Sequence, residues 1–227
     1  MYDLYIANKN YSSWSLRPWV LLRELAIPYR ERLVSYGGKT EPGKFRAFSP
    51  TGKVPCLVDG DITVWDSLAI TEYLAERHPG VWPADNAARA FARSAAAEMH
   101  SGFTGLRNSC TMNCGIRVQL HVVDDALKRD LERLETLWAE GLNRFGGPFL
   151  AGAKFTAADA FYAPIAFRLQ TYDPPLGDLA RAYASRLRAL PSMHEWYAAA
   201  LADTFRSEEH EAEARGLGTW RQDLRAK

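Results

Sequence analysis

Two short stretches of this sequence carry residue types that suit a bound ligand, and a third carries hydroxyls that could act on it. The first is Val54-Pro55, where proline removes a backbone donor and drives the preceding valine into an extended conformation. If that bond is cis, a state that X-Pro bonds alone adopt readily, the Val54 N–H and C=O turn outward. They can then pair with an extended peptide, as in strand addition. The second stretch is Asp66-Ser67, a capping residue and a hydroxyl beside the free N–H groups of a helix start, a ready carboxylate site. The third is Tyr11-Ser12-Ser13-Trp14, whose two hydroxyls precede an apolar helical pattern. A Val-Pro step alone is usually a strand boundary, and Asp-Ser alone is usually a cap. Their combination at this spacing reads as a receptor for something peptide-like with an anionic end.

The elements that must position these residues follow from periodicity and turn chemistry. Gly52–Leu74 reads as a strand, an Asp59-Gly60 hairpin turn, a second strand and a helix capped by Asp66. Upstream, Tyr2–Ala7 predicts a central strand. Leu16–Leu25 predicts a helix with Ser15 as its cap and Pro18 in its first turn, and Tyr29–Val34 a second strand. A helix between two strands makes a βαβ unit with a parallel pair. Ser35–Ser49 is rich in Gly, Lys and Pro and predicts a short, loose helix. The first eighty residues therefore read β-α-β-α-β-β-α, a thioredoxin-like α/β layout. Two prolines and a glycine in His78–Asn86 place a linker at 79–86, between a domain of residues 1–78 and an all-α domain of residues 87–227.

In that second part Ala88–Leu106 predicts one helix. Leu120, Val123, Leu127, Leu131, Leu134 and Trp138 form the stripe of another. Thr156 and Asp159 form a capping box for a third. Tyr183, Leu187 and Leu190 mark a further stripe, and Pro191 opens a last helix with Met193, Trp196, Tyr197 and Leu201. Glu208–Lys227 is charged and reads as a partly ordered tail. Its His210-Glu211 lacks the second histidine of a zincin, because position 214 is Ala.

Composition bounds the function classes. The 227 residues carry Lys+Arg 28 against Asp+Glu 27, net +1, which offers no electrostatic case for nucleic acid or an anionic membrane. No apolar run approaches the ~18 residues of a membrane span. The opening MYDLYIANKN does not fit a signal peptide, so the expected location is cytoplasmic. Three cysteines argue against a disulfide framework. Cys110 and Cys114, four apart with His100 and His121 not far away, read as helix-packing thiols rather than metal ligands, and no metal is expected.

A thioredoxin-like half followed by a helical half, with Val54-Pro55 before the hairpin, Asp66-Ser67 at the third helix and the Thr156–Asp159 box, resembles the glutathione S-transferase superfamily. The segment Tyr11–Leu22, YSSWSLRPWVLL, is most similar to the SSCSxR segment of the zeta class and its bacterial relatives. The resemblance implies glutathione as co-substrate and a homodimer. Val54 would pair with the cysteinyl part of glutathione beside the cis proline Pro55, Asp66 and Ser67 would hold its γ-glutamyl amine and carboxylate, and Lys53 would be a further glutathione-binding residue. Ser12 would face the sulfur, with Ser13 as the alternative. Trp14 stands where the zeta class has Cys, a departure that bears on maleylacetoacetate isomerase activity.

The chemistry asked of a serine here is modest. A free thiol has a pKa of about 8.5, so a drop of about two units needs roughly 2.7 kcal/mol. One hydrogen bond to a charged sulfur supplies about 1.5–3 kcal/mol. A helix start adds about 0.3–1 kcal/mol. Ser12-Ser13-Trp14-Ser15 also occupies the place of a C-x-x-C, and without thiols there a protein mixed disulfide is disfavoured. The expected reaction is conjugation of glutathione to small apolar electrophiles. Glutathione-dependent isomerisation is the second enzyme reading, and a non-catalytic binding platform the third. The second-substrate pocket is expected between Tyr11 and Trp14 on one side and Met99, His100, Phe103 and Arg107 on the other, although core packing is the better account of Met99 or Phe103 taken alone.

Overall fold

The computed structural model describes residues 1–37 and 43–225. Strands β1 (Tyr2–Ile6), β2 (Tyr29–Leu33), β3 (Cys56–Asp59) and β4 (Ile62–Val64) form one sheet in the order β2-β1-β3-β4. β1 and β2 are parallel, as the βαβ reading requires, and β3 runs antiparallel to both β1 and β4. Helices α1 (Ser13–Glu24) and α2 (Ser67–Ala75) pack on the sheet through Leu16, Val20, Leu21, Ile70 and Leu74, all fully buried against Leu4, Ile6 and Leu57.

Two local expectations change. Helix α1 starts at Ser13 with Ser12 as its N-cap, so Ser15 lies inside it and Pro18 falls beyond its first turn. Ser15 is instead a buried acceptor, taking hydrogen bonds from Ala7 N–H at 3.2 Å and from the Ser12 hydroxyl at 2.7 Å. The loose helix expected in 35–49 reduces to a 3₁₀ turn at Lys44–Ala47, and residues 38–42 of that stretch lie outside the described residues.

The second part contains α3 (Asn86–Ser101), α4 (Thr104–Ser109), α5 (Asp125–Arg144), α6 (Ala157–Tyr172), α7 (Asp178–Arg188), α8 (Pro191–Ala202) and α9 (Glu208–Leu217). Helix α6, AADAFYAPIAFRLQTY, is apolar nearly all round and accordingly buried on almost every face, against α1, α3 and α7. Its start is fixed by Asp159, which accepts from the N–H of Thr156 at 2.9 Å, from Leu150 N–H at 2.9 Å and from the Tyr183 hydroxyl at 2.7 Å. The helix expected over Ala88–Leu106 is two helices. Gly102 closes the first, a Cβ there would lie 2.9 Å from the Glu98 carbonyl oxygen, and Phe103 follows with φ 56°.

The thioredoxin-like plus helical architecture stands, with one addition that periodicity did not reveal. Leu120 belongs not to the helical stripe but to strand β5 (Ile116–Leu120), which pairs antiparallel with β6 (Gly218–Asp223); Asp124 caps α5 afterwards. The charged tail is therefore an ordered strap of α9 and β6. Two glycines let it dock: a Cβ on Gly218 would sit 2.3 Å from the Gln119 carbonyl oxygen, and one on Gly115 would sit 2.1 Å from Arg225 Cγ. The strap is pinned by Arg225, almost wholly buried, which pairs with Glu211 and with Asp223 (2.6 Å) and donates to the Tyr11 hydroxyl at 3.1 Å. Burial pushes the Glu211 carboxyl up, but the hydrogen bonds of Arg225 and Tyr11 outweigh it and hold it below its usual value.

Candidate functional site

The residues expected to meet an extended ligand lie at the start of β3. The Val54-Pro55 bond is cis, and among the described residues neither the N–H nor the C=O of Val54 makes a backbone hydrogen bond. Val54 is half-buried, Pro55 buried and Lys53 exposed. Asp66 is the N-cap of α2, accepting from Leu68 N–H at 2.9 Å, and its other oxygen lies 3.2 Å from His100 Nε2. Ser67 is fully buried, and behind it stands the buried Arg17, whose Nη1 is 3.5 Å from the Ser67 hydroxyl oxygen. His100 thus belongs to the corner built by Asp66 rather than to a separate pocket wall. Burial pushes its pKa down, Asp66 opposes that, and the nearby charges of Arg17 and Arg107 reinforce it, for a net lowering.

Beside these residues opens a cleft of about 520 Å³, lined chiefly by Tyr11, Ser13, Trp14, Arg107, Arg168 and His210. Tyr11, Trp14 and Arg107 are thus brought together as expected. Met99 and Phe103 are not: both are buried in the core, Phe103 edge-on to Tyr162 at 6.2 Å, and Met99 contributes its carbonyl to Arg107 at 2.5 Å. Met99 falls on the buried stripe of α3 with Ala88, Ala92, Ala95 and Ala96, and Phe103 sits at the break between α3 and α4 with a left-handed backbone. A larger cavity of about 930 Å³ near Trp82, Phe149 and Phe155 shares no residue with the Ser13 cleft.

The two serines differ in what they face. Ser12 is 2% exposed and gives its proton to Ser15. Ser13 lines the cleft, and its oxygen accepts from Arg168 Nη2 at 3.2 Å, which leaves its own proton to be donated elsewhere. Around them three guanidinium groups converge. Arg17 and Arg107 lie over the Trp14 ring at 4.1 and 4.7 Å from its centroid. Arg168 donates to the carbonyls of Arg107 (3.1 Å) and Cys110. Burial, with added repulsion from Arg107, pushes Arg168 down to about 10. Burial and the same neighbours push Arg17 well down, and burial alone lowers Arg107.

Several cleft residues carried no sequence expectation. Arg168 had a signal available, a lone cation in the otherwise apolar α6, on the same chain segment as the capping box. His210 arrives on α9 with its ring 5.1 Å from Tyr11 and 5.3 Å from Tyr36, and Nδ1 2.8 Å from the Ser207 hydroxyl. Nothing local in a charged stretch points to that placement. Cys110 and Cys114 are buried, with burial pushing the Cys110 thiol up to about 12 and the Cys114 thiol higher still. Among the described residues no group of three His, Cys, Asp or Glu is arranged to hold a metal, and no helix is long and apolar enough to cross a membrane.

Comparison with known proteins agrees with the fold. Residues 11–77 match the family model for the glutathione S-transferase N-terminal domain, and residues 86–199 match that for its C-terminal domain. Glutathione S-transferase 1 of Dianthus caryophyllus is 31% identical over 169 residues, covering 71% of this chain and 74% of the relative. Maleylacetoacetate isomerase of Rattus norvegicus is 29% identical over 167 residues, with the same two coverages of 71% and 74%. Among solved structures, a glutathione transferase homologue from Burkholderia GL BGR1 with bound glutathione superposes with a TM-score of 0.64 at 25% identity, over 86% of this chain and 95% of that one.

Proposed function

Because the chain belongs to the glutathione S-transferase family, we propose that it is a glutathione transferase that adds the glutathione thiolate to small electrophiles. Glutathione is its co-substrate, bound by Val54, Pro55 and Lys53 along the cysteinyl part and by Asp66 and Ser67 at the γ-glutamyl end. The acceptor's apolar body lies in the cleft against Tyr11 and Trp14. The observation that carries this reading is Ser13, a hydroxyl that faces the cleft with its oxygen already bonded to Arg168. In this reading Ser13 donates to the sulfur and Ser12, bonded to Ser15, holds the start of α1. The protein is a cytoplasmic homodimer, on family grounds. A glutathione-dependent isomerase of the zeta type is the second reading; the named isomerase relatives and the arginines around Trp14 favour it.

The test is ultraviolet titration of the thiolate of bound glutathione in the wild type, Ser13→Ala and Ser12→Ala. The bound thiol should ionise about one to two units below its free value of about 8.5. Ser13→Ala should remove about one unit of that shift, the worth of one charge-assisted hydrogen bond, and Ser12→Ala distinctly less. Glutathione that binds with an unperturbed thiol would leave a receptor without chemistry, and a non-catalytic binding module would replace the transferase.

A further inference from the structure

Guanidinium groups withdrawn from water are costly unless an anion compensates them. A further cavity, of about 320 Å³, opens between α6 and α7 and brings Arg117, Arg181 and Arg188 beside the apolar Leu169, Pro174 and Leu176. It shares no residue with the Ser13 cleft. The acid among its lining residues is Asp173, and Arg181 already pairs with it at 2.6 Å. Arg181 gives its Nε and Nη2 to the carbonyls of Leu176 (3.0 Å) and Pro174 (3.2 Å). Arg117 on β5 and Arg188 at the end of α7 are half-buried, and among the described residues neither has an acid for a partner. Arg117 donates to the carbonyls of Cys114 (3.2 Å) and Ile116 (2.8 Å) and to the Tyr197 hydroxyl (3.0 Å), and Arg188 donates through Nη1 to the Ala166 carbonyl at 3.1 Å. Arg117 Nε and Arg188 Nε and Nη2 are left without partners, yet none of the three is sealed from solvent. The two groups also feel each other: burial lowers the Arg188 pKa and the charge of Arg117 lowers it further. Two cations with open donors thus share one small cavity without a counter-charge.

We propose that Arg117 and Arg188 form a second ligand site, outside the cleft, for the phosphoryl group of a small organic phosphate. The inference is independent of the transferase reading. Two guanidiniums with no acid between them match a dianion, and their planar donor forks match its oxygens. The phosphoryl group accepts from Arg188 Nε and Nη2 along one edge and from Arg117 Nε at a further oxygen. Leu169, Pro174 and Leu176 take the apolar body of the ester. The bound dianion turns the repulsion between the two cations into two attractions. Arg117 stands on β5, the strand that β6 of the strap pairs with, so occupancy braces the base of the strap against α6 and α7.

The test is calorimetric titration of the full chain with phenyl phosphate, inorganic phosphate and benzoate. Ionic strength is held constant at about pH 7.5, where phosphate monoesters are mostly dianionic. Phenyl phosphate should bind with a Kd of about 1 mM or tighter, and about tenfold or more tighter than benzoate, with inorganic phosphate weaker for want of the apolar body. Arg188→Gln should weaken phenyl phosphate about tenfold, and Arg188→Lys, which keeps the charge and loses the fork, about threefold. Asp173→Asn should act the other way. It releases Arg181 to the anion and should tighten binding about threefold, a gain that a purely structural role for these arginines would not produce. Asp173 is exposed and has φ 41°, a conformation that asparagine tolerates, so this variant keeps the test open even where Arg188→Gln does not fold. Phenyl phosphate and benzoate that bind alike overturn the site, as does phenyl phosphate that does not bind the folded wild type. So does phenyl phosphate held as tightly by Arg188→Gln as by the wild type, or no more tightly by Asp173→Asn, since the anion would then sit elsewhere. No outcome depends on glutathione, so the site stands or falls apart from the transferase reading.

Discussion

Replacing Arg225 by leucine tests whether the strap is held by its charges or by its strand pairing. The Arg225 side chain is 1% exposed and that of Glu211 7%, so the pair is desolvated. Removing one partner of such a pair costs about 3–5 kcal/mol, because the remaining charge is left buried. Here Tyr11 (2.6 Å) and Asn113 (3.2 Å) still donate to Glu211, which places the loss at the lower end, about 3 kcal/mol. A loss confined to the strap speeds local opening by about 10²-fold. Native-state hydrogen exchange reads it directly at His121 N–H, bonded to the Leu217 carbonyl at 3.0 Å, and at Leu224 N–H, bonded to that of Gly115 at 2.8 Å. Both should exchange about 10²-fold faster while the amides of α6 keep their wild-type rates. The double variant Arg225→Leu with Glu211→Gln removes both charges and should recover much of the protection. Strap amides as slow as in the wild type would refute the reasoning, as would acceleration of α6 by the same factor, which would mean that the pair supports the whole fold.

Two further outcomes follow from polar groups at His100 and Asp159. His100 is held down chiefly by burial, so its midpoint should lie below the ordinary histidine value; because its folded pKa is the lower one, its contribution to stability is present above about pH 6.5 and is lost as pH falls. Its ring-proton shifts in a magnetic resonance titration check this, and Asp66→Asn should move the midpoint lower still. Asp159→Ala leaves Leu150 N–H, Thr156 N–H and the Tyr183 hydroxyl without their acceptor, and should cost about 3 kcal/mol or more in denaturant unfolding, a loss that Asp159→Asn would recover only in part.

Much of the framework was legible because its signals are local. Asp59-Gly60 specifies a hairpin, Asp66 and the Thr156–Asp159 box specify helix starts, and the 3.6-residue stripe of Leu127, Leu131, Leu134 and Trp138 specifies α5. What the sequence concealed depends on partners distant in the chain. β5 and β6 are each too short and too polar on one side to announce themselves, and they exist because they pair with each other across about a hundred residues. Ser15 reads as a cap until Ala7 and Ser12 are seen bonded to it. The recessed placement of Ser12 and the forward placement of Ser13 depend on where α1 begins, and a one-residue shift turns a side chain by about a hundred degrees on a helix. Met99 kept the helical spacing but falls on the buried stripe of α3 with Ala92, Ala95 and Ala96, whereas Phe103 lies at the break after Gly102, where that spacing no longer applies.

The docking of the strap also fixes when the cleft can come into being. Tyr11 is made among the first residues, whereas its partners Glu211 and Arg225 follow about two hundred residues later. A chain growing on the ribosome can close its four-stranded sheet and bury α2 early, yet the Tyr11 hydroxyl must wait for residue 225 before its surroundings are complete. The cleft is thus the last part of the molecule to mature. A chain cut just before α9 would keep the residues around Val54 and Ser67 but lack the wall that carries His210, Glu213 and Leu217. On the proposed reading, such a shortened chain would retain its affinity for glutathione and lose discrimination among the electrophiles that meet it.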